Sequence, residues 1–506
     1  MSGNAGLGAM KPAEVFGRDR EWRALADFTA DPRPEATLGI VSGRRRQGKT
    51  YLLRSIAKAA GGFFFEAAEA TEADSLRMFG AALARHAGFP GGLSFPRWDD
   101  ALAYLFARGT GAPAPVVIDE FPFLIKASPH LPSLLKRELD AHGPSQDSRS
   151  RTRLLLCGSA MSVMGNLLAG TAPLRGRAGL EMLIQPFAYR EAAAFWGAAD
   201  PRLAILLHAI VGGTPAYRRQ FVRDDAPVGL ADFDDWVVRA VLSPDRPLLR
   251  EARYLLAEET DIRDPALYHS VLSAVAAGSH RWGGIASYVG RKSSEISHPL
   301  HVLEGCRLVI REEDCFRSGR SEYRIAEPLL AFYEAVMRPR WADLEQGMAT
   351  AVWQDSRSRY LSGVVGPHFE QLCRDFARQH GRAEFGQPVG EVGHGTLADP
   401  AHKTQIEVDV AVLGPAQPGE RRAAVSIGEV KWGEVMGLRH LARLQRALAL
   451  LALKGYDTSE TVLACYAGAG WDDELAAAGA AGKVRLIDPA QLYLAGPMEG
   501  VAAFPS

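Results

Sequence analysis

One stretch constrains this chain more than any other: Gly43-Arg44-Arg45-Arg46-Gln47-Gly48-Lys49-Thr50, with the spacing G-x-x-x-x-G-K-T. Thr37-Leu38-Gly39-Ile40-Val41-Ser42 precedes it as a short apolar strand. Tyr51-Leu52-Leu53-Arg54-Ser55-Ile56-Ala57 follows at helical spacing. The loop therefore joins a strand to a helix N-terminus. Its glycines let the backbone curl so that N–H groups point inward at a polyphosphate. The helix start adds positive potential at the same place. Lys49 is expected to reach the β- and γ-phosphates, and the Thr50 hydroxyl to take a Mg²⁺ position. Residues Gly43 to Thr50, with Tyr51 next to them, form the expected nucleotide contact set for ATP and Mg²⁺.

Length suggests about three domains. Net charge is −1, so no global field draws the chain to nucleic acid or a membrane, and any DNA-binding face must be local. The five cysteines, Cys157, Cys306, Cys315, Cys373 and Cys465, are scattered and include no C-x-x-C pair. That pattern reads as free thiols in a reducing compartment. No apolar run approaches the ~18 residues of a spanning helix. The start, Met1-Ser2-Gly3-Asn4-Ala5-Gly6, has no basic segment leading into an apolar one. A cytoplasmic location without a membrane partner is expected.

Residues 1–15 read as a loose tail. Gly62-Phe63-Phe64-Phe65-Glu66 reads as a second buried strand, followed by helical patterns at 71–87 and 97–108. Pro115-Val116-Val117-Ile118-Asp119-Glu120 is an apolar strand ending in two carboxylates. Downstream of a phosphate loop, Asp119 would hold Mg²⁺ through water and Glu120 would polarise the attacking water. Arg153-Leu154-Leu155-Leu156-Cys157-Gly158-Ser159 is the next strand, and Ser159 at its tip is placed to meet the γ-phosphate or the lytic water. Arg175 and Arg177, in Pro173-Leu174-Arg175-Gly176-Arg177, are equally plausible for stabilising charge on the transferring phosphoryl group, in cis or across a subunit interface of a homo-oligomer. Strands alternating with helices argue an α/β fold with a parallel, helix-covered sheet.

These segments resemble a prokaryotic archaeal-type P-loop ATPase family, close to the AAA+ and STAND ATPases. The likeness rests on Phe16-Gly17-Arg18-Asp19-Arg20-Glu21-Trp22, the phosphate loop, Val116 to Leu124, Leu154 to Met164 and the Arg175–Arg177 loop. In that family the first segment lies near the adenine. The resemblance also implies a helical lid at 201–260, where a G-x-P turn packs against the base. Here Gly213-Thr214-Pro215 takes that place, although a helix-ending glycine followed by a proline stop explains the same letters.

Helical runs at 265–277, 283–289 and from Ser294 to about Leu303 are followed by a strand pair, Cys306 to Arg311 and Glu322 to Ile325. Three helices and a hairpin give the winged-helix order, expected over 261–340. Arg291, Lys292, Ser293, Ser294 and His298 would open the recognition helix, and Pro299 should kink or shorten it. Residues 279–325 hold eight Lys/Arg against six Asp/Glu, which is only mildly basic.

The last domain, 341–506, is expected to begin with a helix from Tyr360 to Ala377 that carries Glu370, then a strand near 385–392. In Gln405 to Val412 the apolar residues Ile406, Val408, Val410 and Val412 alternate onto one face, with Glu407 and Asp409 on the other. Glu429 and Lys431 are two apart on the strand from Val425 to Trp432 and share a face. A helix at 436–453 and strands at 460–465 and 483–487 complete the order helix, three strands, helix, strand. That order and the pattern D…[DE]-x-K resemble the restriction-endonuclease-like, PD-(D/E)XK core. Asp409 and Glu429 would hold a metal ion that polarises the scissile phosphate, with Lys431 positioning water or stabilising the phosphorane. An ion pair on a solvated sheet face explains the same residues. Fusion of an archaeal-type ATPase (1–200) to such a domain also resembles a recurrent arrangement of uncharacterised function. Two functions fit: an ATP-driven, metal-dependent nuclease acting on DNA, or a STAND-type regulatory ATPase whose C-terminal domain binds DNA or protein without cleavage.

Overall fold

The computed structural model describes residues 9–110, 112–143, 150–257 and 264–494. Its contacts divide the chain into two compact units that meet in sequence at Pro186 and Phe187.

The first unit is built on five parallel strands: β1 (Thr37–Ser42), β2 (Phe63–Glu66), β3 (Ala114–Asp119), β4 (Thr152–Gly158) and β5 (Ala178–Leu183), in the order β2-β3-β4-β1-β5. The near-continuous apolar runs of β3 and β4 follow from helices covering both faces. Val116, Ile118, Leu154 and Leu156 face one core layer with Phe79, Trp98 and Phe106. Val117, Leu155 and Cys157 face the other, with Trp22, Leu53 and Ile56. The expected helices appear as Glu72–Ala87 and Trp98–Ala107. Strand β5 went unread in the sequence: Ala178-Gly179-Leu180-Glu181 interrupts any apolar run, as an edge strand can. Residues 9–15 are not a loose tail. Trp22 Nε1 donates to the Ala9 carbonyl at 2.7 Å and Val15 is buried.

In the second unit, helices Pro265–Ala276, Trp282–Val289 and Ser293–Gly305 lead into an antiparallel hairpin, β6 (Val309–Glu313) and β7 (Ser321–Ile325). Pro299 is buried inside the third of these helices, which continues past it to Gly305. The proline costs one backbone bond, and its ring is buried with Ile296, Leu300 and Leu303 of the same helix. The hairpin loop is not a free polar turn. Cys315 N donates to the His394 carbonyl (2.9 Å), Thr396 N donates to Asp314, and Phe316 joins the core of the following domain.

That domain carries a mixed sheet of β8 (Glu391–Asp399), β9 (Thr404–Leu413), β10 (Ala424–Lys431), β11 (Val462–Ala467) and β12 (Arg485–Ile487), in the order β12-β11-β10-β9-β8. β8, β9 and β10 run antiparallel, and β10, β11 and β12 parallel. The strand expected near 385–392 begins only at Glu391. The helix before it, Gly366–Phe385, runs longer than its apolar pattern suggested and stops where Gly386 takes a left-handed φ of 74°. Helix Leu438–Leu453 covers one sheet face through Leu441, Leu444, Ala447 and Leu451. Among the described residues no single helix is long and apolar enough to cross a membrane.

Candidate functional site

The phosphate loop takes the shape that its glycines allow. Gly43 has φ 151° and Gly48 φ 83°, and a Cβ on Gly43 would sit 2.6 Å from the Ile184 carbonyl. Helix Lys49–Ala59 starts directly after Gly48. Lys49 is buried and its Nζ donates to the Arg44 carbonyl at 2.8 Å. Burial holds its pKa below the usual lysine value, while the charges of Glu120 and Asp119 act in the opposite direction. Tyr51 is 53% exposed, on the outside of that helix. Arg18, itself at φ 61°, donates to the Gln47 carbonyl at 3.2 Å. The Phe16–Trp22 segment thus braces the phosphate loop.

Asp119 and Glu120 meet this loop from the end of β3. Asp119 has no exposed surface. Its Oδ1 accepts from Glu120 N at 2.9 Å, and its Oδ2 has no hydrogen-bond partner among the described residues. A buried carboxylate oxygen left open costs free energy unless a cation or donor completes it. The open Asp119 oxygen is the observation that suits a cation at the end of β3. Burial, then the Asp119 charge, pushes the neighbouring Cys157 thiol well up, so it stays neutral. Glu120 sits in a left-handed turn (φ 50°) and receives the Ser159 hydroxyl, 3.1 and 3.2 Å from its two oxygens. Ser159 is thus hydrogen-bonded to Glu120. Of the two arginines, Arg177 is committed to a fork with Asp140 at 2.7 and 2.9 Å. Arg175 is exposed and donates to the Gly170 carbonyl.

Pro215 belongs to the second unit, in the turn after helix Pro201–Val211. Gly212 ends that helix at φ 55°, and a Cβ on Gly213 would lie 1.9 Å from the Phe187 carbonyl oxygen. Helix termination and this close approach account for the two glycines.

The C-terminal constellation converges. Gly428 pairs with Val410, and the antiparallel register continued by one residue sets Asp409 opposite Glu429. Lys431 Nζ lies 3.4 Å from Glu429 Oε1 and 4.0 Å from Asp409 Oδ2. The strict alternation expected along β9 does not hold. Gly393 pairs with Ala411 but Gly395 with Val408, so Asp409 and Val410 together oppose His394. This bulge moves the apolar set of the core face from Ile406 and Val408 to Ala411 and Leu413. It also re-aims Asp409, whose Oδ2 accepts from Val430 N at 2.8 Å.

Two arginines absent from the sequence expectations join the cluster. Arg374 donates to the Asp409 carbonyl (3.0 Å) and lies 3.8 Å from Glu370 Oε2. Arg443, from helix Leu438–Leu453, donates to Glu429 Oε1 at 3.1 Å and to the Glu407 carbonyl at 3.2 Å. The i,i+4 spacing of Arg374 from Glu370 was a readable signal, whereas Arg443 is placed by tertiary packing alone. Burial, then the Asp409 charge, raises the Glu370 pKa to about 7. Burial raises Asp409 to about 6, against the pull of Lys431. Glu370 keeps 36% of its side chain exposed, which sets it at the rim. Glu429 Oε2 is buried with no hydrogen-bond partner among the described residues. That open oxygen and the raised carboxylates fit a divalent ion held by Asp409 and Glu429. Among the described residues no three His, Cys, Asp or Glu side chains form a group that could hold a metal ion.

The start of helix Ser293–Gly305 is open: Arg291, Lys292, Ser293, Ser294 and His298 are all exposed. The hairpin beside it is fixed to β8, as described above.

With these sites in place the chain can be compared with known proteins. No family model matches it. It is 25% identical over 342 residues to the uncharacterized protein MJECL04 of Methanocaldococcus jannaschii, spanning 67% of this chain and 72% of that one. Among solved structures it is similar to the Walker-type ATPase PABY2304 of Pyrococcus abyssi, at 18% identity and TM-score 0.48, over 65% of this chain and 99% of that one. Aeropyrum pernix ORC2 in its ADPNP-ADP complexes overlaps at 15% identity and TM-score 0.40, over 69% and 97% of the two chains. The Thermotoga maritima RuvB Holliday junction branch migration motor overlaps at 15% identity and TM-score 0.29, over 60% and 92%. The overlaps are partial, and the fold class rests on the sheet itself. A five-stranded parallel sheet with the phosphate loop after β1 and the acidic pair after β3 is the α/β architecture of a P-loop ATPase.

Proposed function

We propose that the first unit binds ATP with Mg²⁺ and hydrolyses it, and that the C-terminal part of the second unit is a PD-(D/E)XK-type nuclease-like site acting on nucleic acid, with DNA the expected substrate. The observation that carries the first part is the pairing of a buried Lys49 with a buried Asp119 whose second oxygen is open. Lys49 presents its charge to the β- and γ-phosphates, and Thr50 and Asp119 hold the ion that neutralises phosphate charge when bound. Glu120, oriented by Ser159, draws a proton from the attacking water. Arg175 is the arginine left to act on a γ-phosphate, in cis or across a homo-oligomer, because Arg177 is engaged by Asp140.

The nuclease reading is supported by Lys431 standing between Asp409 and Glu429. Those two carboxylates would hold the ion, Lys431 would steady the water or the phosphorane charge, and Arg443 and Glu370 flank the cleft. The helix order and hairpin of 265–325 support a winged helix. The exposed Arg291–His298 end of its third helix is the face it would offer a duplex. The division into 1–200, 201–260, 261–340 and 341–506 belongs to the same proposal. A STAND-type regulator that binds without cutting is the reading left standing if cleavage fails.

Nucleotide turnover tests the first part. Lys49→Ala should abolish ATP binding, and Glu120→Gln should keep binding while stopping hydrolysis. Turnover unchanged in Glu120→Gln would move the base elsewhere.

A further inference from the structure

A second, unrelated cavity of about 760 Å³ opens in the second unit, between helix Pro247–Ala257, helix Pro265–Ala276 and the helical stretch around Tyr333–Trp341. Its volume falls in the range of small-molecule sites. Two kinds of side chain line it. Arg250, Arg253 and Arg338 bring three guanidiniums, against Glu345 as the acidic lining residue. Tyr254, Tyr333 and Trp341 bring three aromatic rings. Tyr333 and Trp341 meet edge to face at 6.0 Å, which fixes that wall. Tyr254 is 50% exposed, so one side of its ring is open to a ligand.

The charges are arranged rather than scattered. Beneath the wall, Glu334 has no exposed side-chain surface. It is held by His269 Nδ1 (2.9 Å), Ser273 Oγ (2.5 Å) and Arg338 Nη1 (2.9 Å). Glu334 is therefore spent on Arg338 and His269. Arg250 and Arg253 are exposed and make no ion pair among the described residues. Arg253 lies 4.9 Å above the Trp341 ring, so its charge is held flat against the aromatic wall. The charges of Arg253 and Arg338 both reach the Tyr333 hydroxyl and oppose the rise that burial imposes on it. The cavity thus combines flat apolar rings with two cations on one helix, a turn apart, that no carboxylate pairs among the described residues.

We propose that this cavity binds a nucleoside phosphate, free in solution or as one unit of a single strand, separately from the phosphate loop. The base stacks on the Tyr254 ring, and the phosphate is taken by Arg250 and by Arg253, which the Trp341 ring holds in place. Stacking suits any base, because every base has a π-face, and guanidiniums suit phosphate oxygens by their fork geometry.

The test uses the full chain carrying Lys49→Ala, which disables the first nucleotide site. Methylanthraniloyl-ADP and a short fluorescein-labelled oligothymidylate are titrated in separate arms. Each is then repeated with Arg250→Glu, Arg253→Glu and Trp341→Leu added singly, with melting curves to confirm folding. At least one probe should bind, and each arginine reversal should weaken it by about tenfold or more, the loss of one charge-assisted contact. Binding of the ADP probe alone assigns a free nucleotide, and binding of the oligonucleotide alone assigns a strand. Binding of neither probe, or binding unchanged by all three folded variants, overturns the proposal.

Discussion

Asp409→Asn offers a direct reading of what the C-terminal site costs the fold. Asp409 is buried against Glu429, Glu407 and Glu370, with Lys431 and Arg374 as the opposing charges. Its folded pKa is raised to about 6, so the folded protein holds this proton more tightly than the unfolded chain does. The resulting stability is complete below about pH 4, and it is lost as the pH rises through 6. A midpoint raised by about two pH units corresponds to ~3 kcal/mol lost at pH 8. Asp409 titrates together with Glu370, and Asn keeps an oxygen for Val430 N. A net gain of about 1–2 kcal/mol at pH 8 is therefore expected for Asp409→Asn. In thermal unfolding this appears as about 2–4 °C per kcal/mol for a unit of this size. Melting curves from pH 4.5 to 8.5 in EDTA should show the wild type falling relative to Asp409→Asn above pH 5.5 and matching it at pH 4.5. A variant that melts lower at pH 8, or gains equally at both ends, would refute the charge-burial argument.

Two further outcomes follow from the first unit. Ser159→Ala leaves both Glu120 oxygens without their hydroxyl donor, so kcat for ATP should fall about tenfold or more with KM unchanged. Steady-state kinetics reads that split, and a matching rise in KM would assign Ser159 to binding instead. Arg153 is fully buried on β4 and donates to the carbonyls of Asp31 (2.7 and 3.0 Å), Glu35 (2.6 Å) and Arg33. Arg153→Ala should therefore destabilise the unit by about 2 kcal/mol, since it removes a buried donor from three part-buried carbonyls. An unmoved urea midpoint would contradict it.

The parts of the molecule readable in sequence are those set by local rules. The glycine loop, the apolar strands ending in Asp119-Glu120 and Ser159, and the Glu429–Lys431 pair each follow from spacing over a few residues. What escaped depends on distant partners. β5 is a strand because β1 offers an edge, not because its own residues demand it. The β9 bulge arises from pairing to β8, and it shifted the apolar alternation that seemed to place Asp409. The hairpin loop looked like a solvated turn because nothing local shows that Asp314 and Cys315 are met by Thr396 and His394. Arg443 reaches Glu429 across the sheet face, a contact no periodicity encodes.

One measurement tests the C-terminal site most directly: cleavage of supercoiled plasmid in Mg²⁺ by the wild type and by Lys431→Ala, with ATP hydrolysis followed in the same samples. The wild type should nick or linearise the plasmid, and Lys431→Ala should leave it intact while hydrolysing ATP at the wild-type rate. Cleavage that persists in Lys431→Ala, or a wild type that hydrolyses ATP and never cuts, would contradict the nuclease assignment and leave a regulatory ATPase in its place.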